Sequence, residues 1–269
     1  MKNNSIDFAK NIRKIILKMV FEAKASHVGG ALSMADILAV LYNGIINVDP
    51  KNPKWKDRDI FLLSKGHAGT GLYATLALRG FFPMAELDSY SKNDSRFLSH
   101  ANFEVPGVEL STGSLGHALS VGCGFALSFK RNNNQRKVYC LLSDGEMDEG
   151  SNWEALLFAP HHRLNNLIAI VDNNKIQSFG TTKEVLDLGS LSDKFKSFRW
   201  NVIEIDGHDH GQLLDAFNKA NEEKNRPSII IANTIKGKGV DFMENQLLWH
   251  YRSPSEEQYK NAINQIEKQ

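Results

Sequence analysis

Residues 138–176 read VYCLLSDGEMDEGSNWEALLFAPHHRLNNLIAIVDNNKI, a run that alternates strand, polar turn, helix, strand and polar turn. Residues 138–142 are a short apolar run of the kind buried in a parallel sheet, stopped by Ser143, Asp144 and Gly145. A helix is predicted next, opened by a capping box of Ser151 and Glu154, with Trp153, Leu156 and Leu157 on one face. Pro160 removes an interior donor, so that helix is predicted to kink or end there. Residues 167–171 form a second buried run that ends at Asp172, Asn173 and Asn174. Ligands of an open parallel sheet collect at the carboxyl ends of its strands, which puts both polar turns on one edge, where Asp144 and Asn174 can meet.

A carboxylate, an amide oxygen and a free main-chain carbonyl are hard donors, suited to magnesium or calcium rather than zinc or copper. They carry too little charge for an all-protein calcium cage. Magnesium draws its remaining ligands from water and bound phosphate, so a diphosphate cofactor is the natural companion. Gly145 suits that role because no Cβ keeps the backbone from the phosphates. Either turn alone is ordinary loop chemistry; the two together point to a site.

Further apolar runs at 59–63, 202–206 and 228–233 alternate with helical segments. The expected fold class is α/β: a predominantly parallel sheet with helices on both faces, in a single domain over residues 1–269. The first helix covers 6–24, with Ile12, Ile15, Ile16, Met19 and Val20 at helical spacing. A glycine-rich break at 26–30 precedes a second helix capped by Ser33, with Asp36 in its first turn. Residues 99–116 are a long irregular stretch, which in a compact domain is usually functional, and 116–130 is a helix. A loop is expected at 177–187, a helix at 190–197, and a final helix from Ser253 and Pro254. His208 and Asp209 look like a metal cluster, but Asp209 with Gln212 makes a helix cap. His161 and His162 are adjacent and cannot both face one metal from a regular helix. Lys236 and Lys238 lie among glycines without the spacing of a phosphate loop.

Lys plus Arg number 32 against 31 for Asp plus Glu, so no net field favours nucleic acid or an anionic membrane. Cys123 and Cys140 sit in apolar stretches without zinc or redox spacing and read as buried and reduced. The N-terminal stretch has no signal-peptide core and no run reaches membrane-span length, so a cytoplasmic protein is expected.

The two turns resemble the thiamine diphosphate motif, in which Gly-Asp-Gly is followed at the next strand end by Asn-Asn or Asp-Asn. The closest likeness is to the transketolase family, through DGE, EG and WEA, then IVD and NKIQ. The likeness extends to SHVGGALSMADILAVLY (26–42), LLSKGHAGTGLYATLALRG (62–80), HANFEVPGVELSTGSLGHALS (100–120), DGHD (206–209) and the WH of 249–250. It implies that Asp144, the Asn174 side chain and the Ile176 carbonyl hold Mg2+ (or Ca2+). It further implies that Gly145, Glu146, Gly113, Ser114 and Leu115, with His67 and His250, bind thiamine diphosphate. His27, His67, His100 and His250 would converge over that site to hold the donor's hydroxyls or shuttle protons. Ser143, His117 and Tyr251 stand where the family usually has Gly, Gln and Gly.

A transketolase also has a pyrimidine-binding domain with the glutamate that activates the cofactor, and a third domain. The resemblance covers only the first, which implies a separately encoded partner subunit carrying the pyrimidine-binding domain. Glu149 would touch the partner's glutamate, in an α2β2 heterotetramer acting on sugars or sugar phosphates. Other readings are a dehydrogenase first-component α chain, a deoxyxylulose phosphate synthase, or a non-catalytic cofactor-binding paralogue.

Overall fold

The computed structural model describes residues 2–269, with side chains from residue 5 onward. Five strands, β1 (Ile60–Leu63), β2 (Val138–Ser143), β3 (Leu167–Asn173), β4 (Asn201–Asp206) and β5 (Ser228–Asn233), form one sheet in the order β1-β2-β3-β5-β4. Every pairing is parallel. All five runs singled out by their apolar content are strands, displaced by at most two residues.

Alternation along the strands divides the interior in two. Phe61, Leu63, Tyr139, Leu141, Ile168, Ile170 and Ile230 face one core, completed by α1 (Lys2–Ala23), α3 (Ala35–Tyr42), α4 (Gly69–Leu78), α9 (His210–Glu222) and α10 (Glu256–Glu267). Ile60, Leu62, Val138, Cys140, Leu142, Leu167, Ala169, Val171, Ile229 and Ile231 face the other, under α5 (Ala118–Arg131), α6 (Gly150–His161) and α8 (Leu191–Ser197). Helices therefore cover both faces, and β4 is the half-exposed edge opposite β1. Cys123 and Cys140 are free and buried, and burial pushes the Cys123 thiol up to about 12.

Several local expectations are corrected. The glycines at 29 and 30 do not break the chain: they lie inside a short helix, α2 (Val28–Ser33), entered through His27 in the left-handed region. Ser33 does not cap the next helix; its hydroxyl donates to the Asp172 carboxylate at 2.6 Å. The N-cap of α6 is Glu149, and Ser151 donates instead to the Gly116 carbonyl at 2.7 Å. Within the expected 177–187 loop Thr181 and Glu184 cap one helical turn, α7 (Thr182–Val185). The last helix starts later, at a capping box of Ser255 and Gln258. Pro160 sits in the last turn of α6, which ends at His161, and Asp209 caps α9 as predicted.

The irregular stretch after His100 is stitched onto the end of β1. Ala101 N–H donates to the Gly66 carbonyl at 3.0 Å, and Thr112 Oγ1 donates to the Leu63 carbonyl at 2.7 Å. Contact is so close at Gly66 that a Cβ there would lie 2.2 Å from the Thr112 carbonyl oxygen. Gly66→Ala is therefore expected to push this segment, with His100, off the strand end. A loss of about 1–3 kcal/mol, the range for overpacking, should appear in urea denaturation.

Candidate functional site

The parallel registers align Leu63 with Leu141, Ser143 with Asp172, and Asn173 with Asn233. The segments leaving these ends line a cleft of about 180 Å³ at the carboxyl edge of the sheet. Its walls include His27, His67, His100, His250, Gly113, Leu115, Asp144, Gly145, Glu146, Asn174 and Ile176, residues brought together from across the sequence.

Asp144 and Asn174 are 3% and 5% exposed. Asp144 Oδ1 accepts from Gly145 N at 2.8 Å, and Oδ2 accepts from Lys175 N. Asn174 donates its amide to Asp172 at 3.2 Å and accepts from Ile176 N at 3.2 Å. The amide is thus oriented with its oxygen on the side of Ile176. Burial, with the Asp172 charge added, pushes the Asp144 carboxyl up to about 6. Lys65 and Lys236 offset this only in part, and a divalent cation held by the Asp144 carboxylate, Asn174 Oδ1 and Ile176 carbonyl would supply a closer counter-charge. Gly145 is a tight cradle: a Cβ there would come within 2.6 Å of Gln177 Cβ. The residues present fit a hard cation carrying a phosphate ligand.

Three imidazole rings surround that of His27, with centroids 5.3 Å away for His67, 5.9 Å for His100 and 5.0 Å for His250. His27 holds φ at 68° and donates its N–H to the His250 carbonyl at 3.0 Å. Left-handed backbone in a residue with a Cβ is strain of the sort that persists at functional sites. Burial, with His100 and Lys236 nearby, lowers His27 to about 4. His250 falls to about 3 through burial and the Lys236 charge, and His67 goes well below its ordinary value through burial and the Lys65 charge. These three imidazoles are neutral at pH 7, each with one N–H to donate. Lys236 donates to His250 Nδ1 at 3.1 Å, which leaves the His250 proton on Nε2.

Two lysines and an aspartate, to none of which the sequence reading assigns a site role, complete the site. Lys65, 1% exposed, donates to the Asp172 carboxylate and, at 2.8 Å, to the Gly30 carbonyl. Asp172, fully buried, also accepts from Ser33, Thr234 and Asn174. Lys236 donates to the Ile176 carbonyl at 2.8 Å, and burial together with Lys65 lowers it to about 8. Lys65 had a signal in its place directly before Gly66-His67 at a strand end. Lys236 was set aside because a phosphate-loop spacing is missing, yet a single ammonium needs no such motif.

Not every expected residue reaches the cleft in the same way. Glu146 is fully buried and spent on scaffolding: its carboxylate accepts from Ser64, from Gly116 N at 2.8 Å and from Ser143 N at 3.2 Å. Ser143 completes the exchange, its hydroxyl oxygen accepting from Glu146 N at 3.3 Å, so the serine before Asp144 braces the turn. Ser114 and Glu149 are exposed and lie outside the cleft lining. Glu149 stands at the start of α6, packed near Gly116. His208 joins His210 and Arg13 around the buried Asp36, at 2.7, 3.0 and 2.5 Å, so this cluster is an internal hydrogen-bonded network, with one Arg13–Asp36 ion pair, away from the cleft.

A family model described as the transketolase, thiamine diphosphate binding domain matches residues 4–265. The chain is 41% identical to the 6-deoxy-6-sulfo-D-fructose transketolase subunit SqwG of Clostridium sp. (strain MSTE9), covering 100% of this chain and 99% of that protein. It is 40% identical to an apulose-4-phosphate transketolase subunit of Phocaeicola vulgatus, over 94% of this chain and 90% of that one. Among solved structures, the transketolase of Campylobacter jejuni subsp. jejuni superposes with a TM-score of 0.93 at 32% identity, over 99% of this chain. The Leishmania mexicana transketolase gives 0.92 at 30% over 98%. The chain spans 43% and 41% of those two solved chains.

Proposed function

The chain belongs to the transketolase family, in its thiamine diphosphate-binding domain, and from that premise we propose that it is the diphosphate-binding subunit of a two-subunit transketolase. Residues 1–269 act as a single cofactor-binding domain in the cytoplasm. The reaction moves a two-carbon ketol unit from a ketose or ketose phosphate to an aldose. A separately encoded partner supplies the pyrimidine-binding domain and the activating glutamate, in an α2β2 assembly. The observation that carries this reading is the meeting of His27, His67, His100 and His250 over the two strand-end turns that carry Asp144 and Asn174.

Asp144, Asn174 and the Ile176 carbonyl hold magnesium, and Gly145 with the backbone at 113–115 receives the diphosphate. Lys236 adds a positive charge to that wall. Thiamine diphosphate, when bound, supplies the electron sink for cleaving and remaking the carbon–carbon bond. The neutral histidines donate hydrogen bonds to the sugar hydroxyls and to oxygen on which charge develops, and they hold the protons that move there. Glu149, exposed at the start of α6, meets the partner. Where the sugar carries a phosphate, that group is gripped largely from outside this chain.

The test is an assay of the chain alone, of the partner alone, and of both together with a panel of ketose donors and aldose acceptors. Ketol transfer is expected only from the mixture. Full transfer by this chain alone would overturn the split arrangement, and no transfer by a mixture that binds the cofactor would overturn the reaction.

A further inference from the structure

Tyr251 is 54% exposed beside His250, and its surroundings give it a task. Its ring lies 5.0 Å from that of His250, and its phenol donates to the Ser178 carbonyl at 2.5 Å. Ser178 belongs to a tight turn closed by Gln177 N to the Gly180 carbonyl at 2.9 Å, Thr182 N to the Lys175 carbonyl at 3.0 Å, and an antiparallel bridge between Ile176 and Thr181. Ile176, Gln177 and Ser178 form one wall of the cleft, and His250 stands in another. Packing does not hold this wall in place, because Phe179 at the tip of the turn is 81% exposed. Polar ties to neighbouring elements do so: Lys236 to Ile176 at 2.8 Å, Gln177 to Asp148 at 3.0 Å, and Tyr251 to Ser178.

We propose that Tyr251 is a positioning residue whose phenol fastens the 176–181 turn to the His250 segment and so slows release of thiamine diphosphate. The inference rests on the cofactor reading above. The Ile176 carbonyl lies two residues before the fastened carbonyl, and release requires that wall to move outward. Once the phenol lets go, the turn is tied to its neighbours through Lys236 and Asp148 and, at its base, through Lys175 N to Asp144 and Ile176 N to Asn174, with no tie from the Ser178 carbonyl to the His250 segment. A neutral, partly exposed hydrogen bond supports about a three- to tenfold change in the opening equilibrium. The ring itself fills space that glycine would leave open beside His250.

The experiment compares wild type, Tyr251→Phe and Tyr251→Gly in the complex with the partner subunit. Bound thiamine diphosphate is released by adding EDTA, and its loss is followed by rapid filtration and assay of the cofactor still retained by the complex. Amide hydrogen exchange is recorded on the same samples. Tyr251→Phe is expected to speed release about three- to tenfold and to deprotect the Gln177 and Thr182 amides, with Tm and the β2–β3 ladder unchanged. Tyr251→Gly should release faster still. Unchanged release in Tyr251→Phe overturns the proposal, as does faster release accompanied by a lower Tm and general deprotection. A wild-type complex that retains no thiamine diphosphate overturns the cofactor reading, and this inference with it.

Discussion

Asp144→Asn is expected to abolish magnesium-dependent binding of thiamine diphosphate, weakening it at least ~10³-fold in titration calorimetry, while the Tm of the cofactor-free chain holds or rises. The reason lies in the charge. Asp144 is the one formal anion among the three proposed metal donors; Asn174 and the Ile176 carbonyl contribute dipoles only. Two unit charges at contact near a protein surface attract by about 4 kcal/mol, which is about 10³ in affinity, and a dication exceeds that. The stability side has the opposite sign. Burial raises the Asp144 carboxyl to about 6, so the ionised form at pH 7 is one the cofactor-free fold disfavours. Asparagine removes that penalty, at the loss of one acceptor for Gly145 N or Lys175 N. The same displacement sets a pH limb for the wild type. Protons compete with the metal for the carboxylate from pH 6 downward, rather than from the ordinary carboxylate range near 4. Apparent affinity should be flat above pH 6 and fall about tenfold per unit below it. A limb centred near pH 4, or a Tm drop in Asp144→Asn matching its loss of binding, would contradict this account.

Which parts of this site the sequence reveals follows from the range of the interactions. The strands are legible because each is a local run rich in apolar residues, buried on both faces in β1, β2, β3 and β5 and half-exposed in the edge strand β4, and the turns at Asp144 and Asn174 are legible because they end such runs. Helix starts are less so. Ser33 and Ser151 have the right residue type for caps, but each spends its hydroxyl on a partner far along the chain, Asp172 and Gly116, and tertiary demand overrides the local rule. The charged floor is the least legible. Lys65 and Asp172 are 107 positions apart, and Lys236 meets Ile176 across 60; neither pairing leaves a spacing pattern to read. The same holds for Asp36, whose partners Arg13, His208 and His210 come from both ends of the chain. His208 thus passes for a metal ligand or a bystander to a cap, when its ring accepts from Ile235 N at 2.8 Å and leans on Asp36.

Asp172→Ala is expected to be among the most destabilising single changes, about 3–5 kcal/mol, because it strands the Lys65 ammonium where water does not reach. Burial by itself would raise the Asp172 carboxyl, but the Lys65 charge and the hydrogen bonds from Lys65, Ser33 and Thr234 outweigh it and hold the group below its ordinary value. Alanine removes this acceptor and leaves the Thr234 hydroxyl and the Asn174 amide without theirs, while Ser33 keeps the Gly30 carbonyl at 3.1 Å. Exposed pairs such as Lys14–Glu267, 37% and 53% exposed at their side chains, should by contrast contribute at most about 1 kcal/mol. The loss at Asp172 is a large fraction of the roughly 5–15 kcal/mol that holds a domain together. It should lower Tm by roughly 10 °C in calorimetry. A double-mutant cycle separates the stranded charge from the lost hydrogen bonds. If the unpaired ammonium dominates, adding Lys65→Met to Asp172→Ala should recover part of the loss, with a coupling energy of about 2 kcal/mol or more. If the double variant is no more stable than Asp172→Ala, the hydrogen bonds carry the effect. Asn174 links this floor to the metal donors. With Asp172 gone its amide is no longer held, so magnesium affinity should fall even at temperatures where Asp172→Ala is fully folded. Unchanged magnesium affinity in the folded variant would show that the Asn174 oxygen is oriented by Ile176 N alone.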